Sequence, residues 1–405
     1  MSQLTNFFEN FLKKEPLFSN KRALQGNYLP EEVPYRIEQI NQVASILAPM
    51  LRNEKPSNVF IYGLTGTGKT LVVKHVTNNI LDIAAKNKID IKVTYINCKL
   101  KKVADTEYRL IAELARSFGE EVPATGLPTD EIYKLFLSSL EKKNTLLLLV
   151  LDEIDQLVNK IGDGILYNLT RLNTELKKSQ ISVIGISNST QFVEFLDPRV
   201  KSSLSEEELV FPTYDALQLQ KILQQRAEVA FKKEVISEGV VEKCAAYAAR
   251  EHGDARRALD ILRVAGEIAE RQGHSKVTIK HIDEAEDKIE KDRVLDVIES
   301  QPKQFKLALY SILIICSKRK NETIFTGDVY DLYKENCNKV GVRPLTQRRI
   351  SDIIAELDMQ GIISAKVISK GRYGRTREIN IAVHPTTIPK IYEILKEGLG
   401  LWTKK

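Results

Sequence analysis

The stretch Val59 to Thr70 reads VFIYGLTGTGKT, a run of β-forming residues that breaks into a glycine-rich turn. Gly63, Leu64, Thr65, Gly66, Thr67, Gly68, Lys69 and Thr70 follow the spacing GxxxxGK[ST], and a helical stretch comes next. Strand, loop and helix in that order are the context this motif needs. Its glycines let backbone N–H groups curl round phosphates, and the helix beginning near Gly68 aims its positive end at the same point. Lys69 is expected to reach the β- and γ-phosphates of ATP or ADP, and Thr70 to offer its hydroxyl to Mg²⁺. Leu71, at the start of the helix, is placed with the cofactor-binding residues.

Outward from this motif, β-rich runs alternate with amphipathic helical stretches from 58 to 211. The strands expected are Val59 to Tyr62, Ile91 to Ile96, Thr145 to Leu151, Ile181 to Ile186 and Glu208 to Phe211. Continuous apolar strands separated by helices argue for an α/β fold, a parallel sheet covered on both faces. From about 215 to 291 only helical periodicity remains, as in Ala258, Ile261, Leu262 and Ala265. From about 300 come three helical stretches, two β-like runs around a basic tip and a last helix, the order of a winged helix. The expected domains are 1–214 for the nucleotide-binding base, 215–297 for a small helical domain, and 298–405 for the winged helix.

The apolar strand ending at Leu151 delivers Asp152 and Glu153 at its carboxyl end, where open α/β sheets bind ligands. Asp152 suits the Mg²⁺ shell, and Glu153 suits orientation or deprotonation of an attacking water. The strand ending at Ile186 delivers Asn188, a neutral donor and acceptor suited to the water or the γ-phosphate. Arg199, in Asp197-Pro198-Arg199-Val200, is read as lying in a loop after a helix, where it could complete a neighbouring subunit's site. Gly253-Asp254-Ala255-Arg256-Arg257 opens a helix with two cations where the helix dipole disfavours them by about 0.3–1 kcal/mol each, so Arg256 is expected to reach an external phosphate.

Charge is unevenly distributed. Residues 301–405 hold 19 Lys and Arg against 10 Asp and Glu, while the rest holds 41 against 44. A basic segment on a near-neutral body points to a polyanion. Within it, Ile350, Ile353, Ile354 and Leu357 form one buried helical stripe, with Thr346, Gln347, Arg348 and Arg349 at its start. Such a polar and basic helix start suits the major groove of duplex DNA. Two β-like runs, Gly361 to Ser369 and Thr376 to Val383, flank a hairpin tip that carries Lys370, Arg372, Tyr373, Arg375 and Arg377, a phosphate or minor-groove probe.

Composition closes off other classes. With 43% hydrophobic and 28% charged residues, and no apolar run near the ~18 residues of a membrane span, the chain reads as globular, cytoplasmic and without a membrane partner. The N-terminus lacks the features of a secretory signal. Cys98, Cys244, Cys316 and Cys337 show no CxxC spacing and are expected as small buried apolar residues.

Taken together, GLTGTGKT at 63–70, VLDEID at 150–155, SNST at 187–190, LDPRVKSSL at 196–204, HGDARRALDILR at 252–263 and GRYGRTREI at 371–379 resemble the archaeal replication initiators. These form the AAA+ family related to the eukaryotic origin recognition complex subunit one and cell division cycle protein six. The resemblance extends from about Leu24 to Val383. It implies an AAA+ base domain, a helical lid and a winged helix, with Asn188 as the base-domain sensor, Arg256 as the lid sensor and Arg199 as the intersubunit finger. It implies that Tyr28, Leu29, Pro30, Tyr35 and Arg36 belong to a segment closing over adenine, with Tyr35 in place of the family's usual histidine; Tyr214 is grouped with the cofactor-binding residues as well. It also makes the stretch from about Asp105 to Gly119 the initiator-specific helical insertion, with Arg109 and Arg116 as candidate DNA contacts.

The function expected is slow, switch-like ATP hydrolysis by an initiator that binds duplex DNA at origins and helps recruit the replicative helicase, with contacts to further copies or paralogues on DNA. A promoter-bound regulator using ATP as a ligand is the rival. A clamp-loader subunit would lack the basic 301–405 segment.

Overall fold

The computed structural model describes Thr5, Phe8 and residues 15–99, 104–123, 126–143, 145–204, 206–319, 324–369, 375–383 and 385–401. The chain divides into two units, Met1–Ile282 and Asp283–Lys405.

In the first unit α1 (Ile37–Leu47) precedes β1 (Val59–Tyr62), α2 (Lys69–Asn87), β2 (Ile91–Asn97), α3 (Glu107–Ser117) and α4 (Thr129–Lys143). Then come β3 (Leu146–Asp152), α5 (Ile154–Ile161), α6 (Gly164–Arg171), β4 (Gln180–Ser187), α7 (Pro198–Leu204) and β5 (Glu207–Val210). The five strands form one parallel sheet in the order β2-β3-β4-β1-β5. β3 is buried at every residue. Its alternate side chains feed two cores, Leu147, Leu149 and Leu151 on one face and Leu146, Leu148 and Val150 on the other. Helices on both faces explain why the strand is uniformly apolar rather than alternating.

Strand ends move by about a residue from the expected limits. Asp152 is itself the last residue of β3, in register with Asn97 and Ile186, and the edge strand is Glu207–Val210 rather than Glu208 to Phe211. Tyr62 at the end of β1 pairs with Ser187 at the end of β4, so the glycine turn, the acidic pair and the Asn188 loop emerge side by side. Within β4, Gly185 leaves room for its neighbours: an added Cβ would lie 2.9 Å from Ile154 Cδ1 and 3.2 Å from Phe60.

Past the sheet lie α8 (Ala216–Ala230), α9 (Val240–Arg250), α10 (Ala255–Gln272) and α11 (Ile279–Ser300). Asp215 starts α8 with a capping box, its carboxylate accepting from the Gln218 N–H at 2.8 Å. The N-terminal segment runs against this helical layer, with Phe18 stacked on Phe231 at 4.6 Å.

The second unit holds α12 (Lys303–Lys318), β6 (Ile324–Phe325), α13 (Thr326–Val340), α14 (Gln347–Met359), β7 (Ile363–Ser369), β8 (Arg375–Ile381) and α15 (Ile388–Leu399). A three-stranded antiparallel sheet, β6-β8-β7, packs on the helices. The hairpin was expected; the third strand was not, because two residues are too few to show a period of two.

Two further expectations are corrected. Arg199 is in the first turn of α7, not in a loop; Asp197 accepts from the Arg199 N–H at 2.9 Å and so caps that turn. Of the cysteines, Cys98, Cys244 and Cys337 are buried but Cys316 is only half-buried, and all four are free thiols. No helix among the described residues is long and apolar enough to cross a membrane.

Candidate functional site

The turn after β1 is shaped by backbone that only glycine adopts freely. Gly66 and Gly68 have φ of 68° and 91°, and a Cβ on Gly68 would come within 2.8 Å of the Tyr214 hydroxyl. Lys69 begins α2 and is 4% exposed. Its ammonium donates to the carbonyls of Gly63 at 2.8 Å and Leu64 at 2.7 Å. Burial lowers its pKa to about 8, and the nearby Arg256 guanidinium pushes the same way, against Asp152, Asp155 and Asp254.

At the end of β3, the Thr70 hydroxyl donates to Asp152 Oδ2 at 2.9 Å, and the Tyr95 hydroxyl donates to the same oxygen. Burial and this bond to Asp152 raise the Tyr95 phenol well above its ordinary range, so it stays a donor. Glu153 follows in the left-handed region, with φ of 56°, a strained conformation for a non-glycine residue of the kind that clusters at functional sites. Asp155, in the first turn of α5, accepts from the Ser187 hydroxyl at 3.0 Å and the Asn188 N–H at 3.4 Å. The acidic strand and the Asn188 loop are therefore tied by a carboxylate.

From the helical layer, the start of α10 reaches the loop. The Thr65 hydroxyl donates to Asp254 Oδ2 at 3.2 Å, and the Ala255 N–H donates to the Gly66 carbonyl at 3.3 Å. Arg256 lies close enough to influence both Lys69 and Tyr95, while Arg257 pairs with Glu251 at 3.4 Å. Beside the loop is a cavity of about 490 Å³ whose walls include Tyr28, Pro30, Leu71, Tyr214 and Arg256.

Other residues of the N-terminal segment stand elsewhere. Leu29 and Tyr35 are exposed and do not line this cavity. Arg36 is buried beneath the glycine turn. Its guanidinium donates to the Thr67 carbonyl at 2.9 Å and to the Pro212 carbonyl, and it stacks 4.0 Å from the Tyr214 ring centroid. Burial lowers its pKa. Arg199 is exposed and forks onto the Asp197 carboxylate, with both contacts at 3.1 Å.

The arrangement fits a nucleoside polyphosphate with Mg²⁺. Two mutually repelling cations, Lys69 and Arg256, stand at a turn so closely packed that a Cβ on Gly63, Gly66 or Gly68 would strike Phe211, Asp254 or Tyr214. Thr70 and Asp152 offer hard oxygen ligands of the kind Mg²⁺ takes. Tyr95, Asp155 and Asp254 escaped the sequence reading. Tyr95 alternates within an ordinary strand, whereas VLDEID and HGDARR did contain the other two.

In the second unit, Thr346 caps α14, its hydroxyl accepting from the Arg349 N–H at 3.4 Å. Thr346, Gln347, Arg348 and Arg349 are all exposed, opposite the buried Ile350, Ile353, Ile354 and Leu357. A groove of about 500 Å³ brings Gln347 and Arg348 together with Thr326, Ser351, Thr376 and Arg377. Arg375 begins β8. Lys370, Arg372 and Tyr373 lie outside the described residues. In the first unit, Arg109 is half-buried and pairs with Asp105 at 3.4 Å, which also holds Lys160 at 3.0 Å. Arg116 is exposed and pairs with Glu113 at 3.3 Å.

Known proteins share both units. Residues 52–192 match the family model described as AAA domain, 220–287 the Cdc6 AAA+ ATPase-type lid domain, and 296–390 the CDC6 C-terminal winged helix domain. The ORC1-type DNA replication protein of Thermococcus onnurineus is 52% identical over 96% of this chain and 94% of its own length. The ORC1-type DNA replication protein 1 of Sulfurisphaera tokodaii is 50% identical over the whole of both chains. Among solved structures, the Aeropyrum pernix Orc1 protein in complex with DNA is similar at a TM-score of 0.82 and 43% identity, covering 95% of this chain and 98% of that one.

Proposed function

The chain belongs to the archaeal ORC1-type, Cdc6-related family of AAA+ DNA replication proteins, and from that premise we propose that it is an ATP-dependent initiator that binds duplex DNA at replication origins and helps recruit the replicative helicase. The observation that carries the nucleotide half of this reading is one glycine turn at which Lys69 meets the Gly63 and Leu64 carbonyls, Thr70 meets Asp152, and the start of α10, with Arg256, docks through Asp254 and Ala255. Lys69 and the loop N–H groups hold the phosphates, Thr70 and Asp152 would hold Mg²⁺, and Arg256 reaches in from the lid. Bound Mg²⁺ would neutralise charge on the phosphate oxygens. Glu153 takes the proton of the attacking water, and Asn188, fixed through Asp155, positions that water. Arg199 serves a neighbouring subunit's site once it leaves Asp197. Hydrolysis is slow, and nucleotide state sets the lid.

The DNA half rests on the exposed Thr346-Gln347-Arg348-Arg349 start of α14 and the groove it shares with Arg377, together with the DNA named in the Aeropyrum structure. Arg348 and Arg349 approach the major groove while the hairpin tip, with Lys370, Arg372 and Tyr373, contacts the backbone or minor groove. Genome-wide mapping of the bound protein tests the biological role. Occupancy concentrated at replication start sites is expected; occupancy spread over many promoters would replace the initiator reading with that of a regulator.

A further inference from the structure

The start of α10 brings a negative charge to the phosphate loop as well as a positive one. Asp254 caps the helix, with Oδ1 accepting from the Arg256 N–H at 2.7 Å and the Arg257 N–H at 3.2 Å. Ser, Thr or Asn would cap about as well without a charge. The same carboxylate faces the loop 189 residues away: Oδ2 accepts from the Thr65 hydroxyl at 3.2 Å, and Oδ1 would lie 1.7 Å from a Cβ on Gly66. The carboxylate also stabilises the Lys69 ammonium, against the push of Arg256. It thus draws on the positive fields of the α10 start and of Lys69, the fields that favour a phosphate at this loop.

We propose that Asp254 is a specificity-determining residue that biases the site toward ADP over ATP, because its carboxylate, docked on Thr65 and Gly66, opposes the added negative charge of a γ-phosphate. This rests on reading the loop as an adenine-nucleotide site. The carboxylate stands at the loop with either nucleotide bound, so its charge disfavours the triphosphate more than the diphosphate whether or not the Thr65 hydroxyl is present.

The test is calorimetric titration of the full chain with ATP and with ADP, using wild type, Asp254→Asn and Thr65→Val. Asparagine keeps an acceptor oxygen for the cap and removes the charge; circular dichroism and a thermal melt check that the helix start is intact. Valine keeps the charge and removes the hydrogen bond. Asp254→Asn should tighten ATP relative to ADP by about three- to tenfold, the Coulomb effect of one charge at ~6 Å in a largely solvated site. Thr65→Val should leave that ratio within about twofold of wild type, since the charge remains. An ATP-to-ADP ratio unchanged in folded Asp254→Asn, or shifted equally by both substitutions, would overturn the charge role while leaving the nucleotide site standing. If wild type binds neither nucleotide, the site reading fails and this inference with it.

Discussion

Lys69 should make nucleotide affinity depend on pH in a range where ordinary lysines are silent. A solvated lysine titrates near 10.4, but burial and Arg256 bring Lys69 down to about 8. An anionic phosphate favours the protonated form, so only that fraction of the free protein binds at full strength. With a pKa of about 8, roughly nine-tenths of the chains carry the charge at pH 7 and roughly 3% at pH 9.5, so ADP affinity should fall about 30-fold between them. The sign for stability is opposite. The folded pKa lies below the unfolded one, so the unfolded chain binds more protons between pH 8 and 10.5, and the nucleotide-free protein gains stability as pH rises through that window. Calorimetry in buffers of differing ionisation enthalpy would record close to one proton taken up per ADP bound at pH 9. Lys69→Arg, which stays charged throughout, should lose both the proton uptake and most of the slope. A flat wild-type affinity from pH 7 to 9.5, without buffer-dependent heat, would refute the reasoning.

Other outcomes follow from the same geometry. Glu153→Gln should bind ATP as wild type does and turn it over about 10²- to 10⁴-fold more slowly, whereas Lys69→Ala should fail at binding; single-turnover assays separate the two, and normal turnover by the Gln variant would remove Glu153 from the water's path. Arg36→Ala takes away two charged hydrogen bonds beneath the turn. At about 1.5–3 kcal/mol for such a bond, the midpoint of urea unfolding should drop clearly, and an unmoved midpoint would deny Arg36 its supporting role. Asp155→Ala frees Ser187 and Asn188 and should lower hydrolysis while sparing ATP affinity; equal losses in both would show that the tie serves binding instead. Arg348→Ala should weaken duplex DNA binding and reduce the slope of log affinity against log salt by about 0.9 if it meets one phosphate. A lost affinity with an unchanged slope would move Arg348 to a base edge.

Much of this was open to sequence reasoning because it depends on neighbours along the chain. The glycine turn is bracketed by its own strand and helix, Asp152 terminates a strand too apolar to be anything but central, and the stripe Ile350, Ile353, Ile354 and Leu357 fixes which face of α14 is outward. What escaped depends on separation. Tyr95 meets Asp152 across 57 residues and Thr65 meets Asp254 across 189, and neither leaves a periodic trace. Arg36 falls by resemblance in an adenine-side segment, but its ties to Thr67 and Pro212 span 31 and 176 residues and leave no local trace. The three-stranded wing sheet was under-read because Ile324 and Phe325 take their strand character from Ile379 and Glu378, not from their own neighbours.

Gly185 shows how little it takes to gear two parts of such a centre together. Its bare Cα sits where a methyl group would strike Ile154, and that small gap sets how near the first turn of α5 can ride to the sheet. One residue further on, Asp155 is thereby kept within reach of Ser187 and Asn188. The first turn of α5 and the backbone that leaves β4 are thus fastened to each other across a position that owes its fit to a missing side chain.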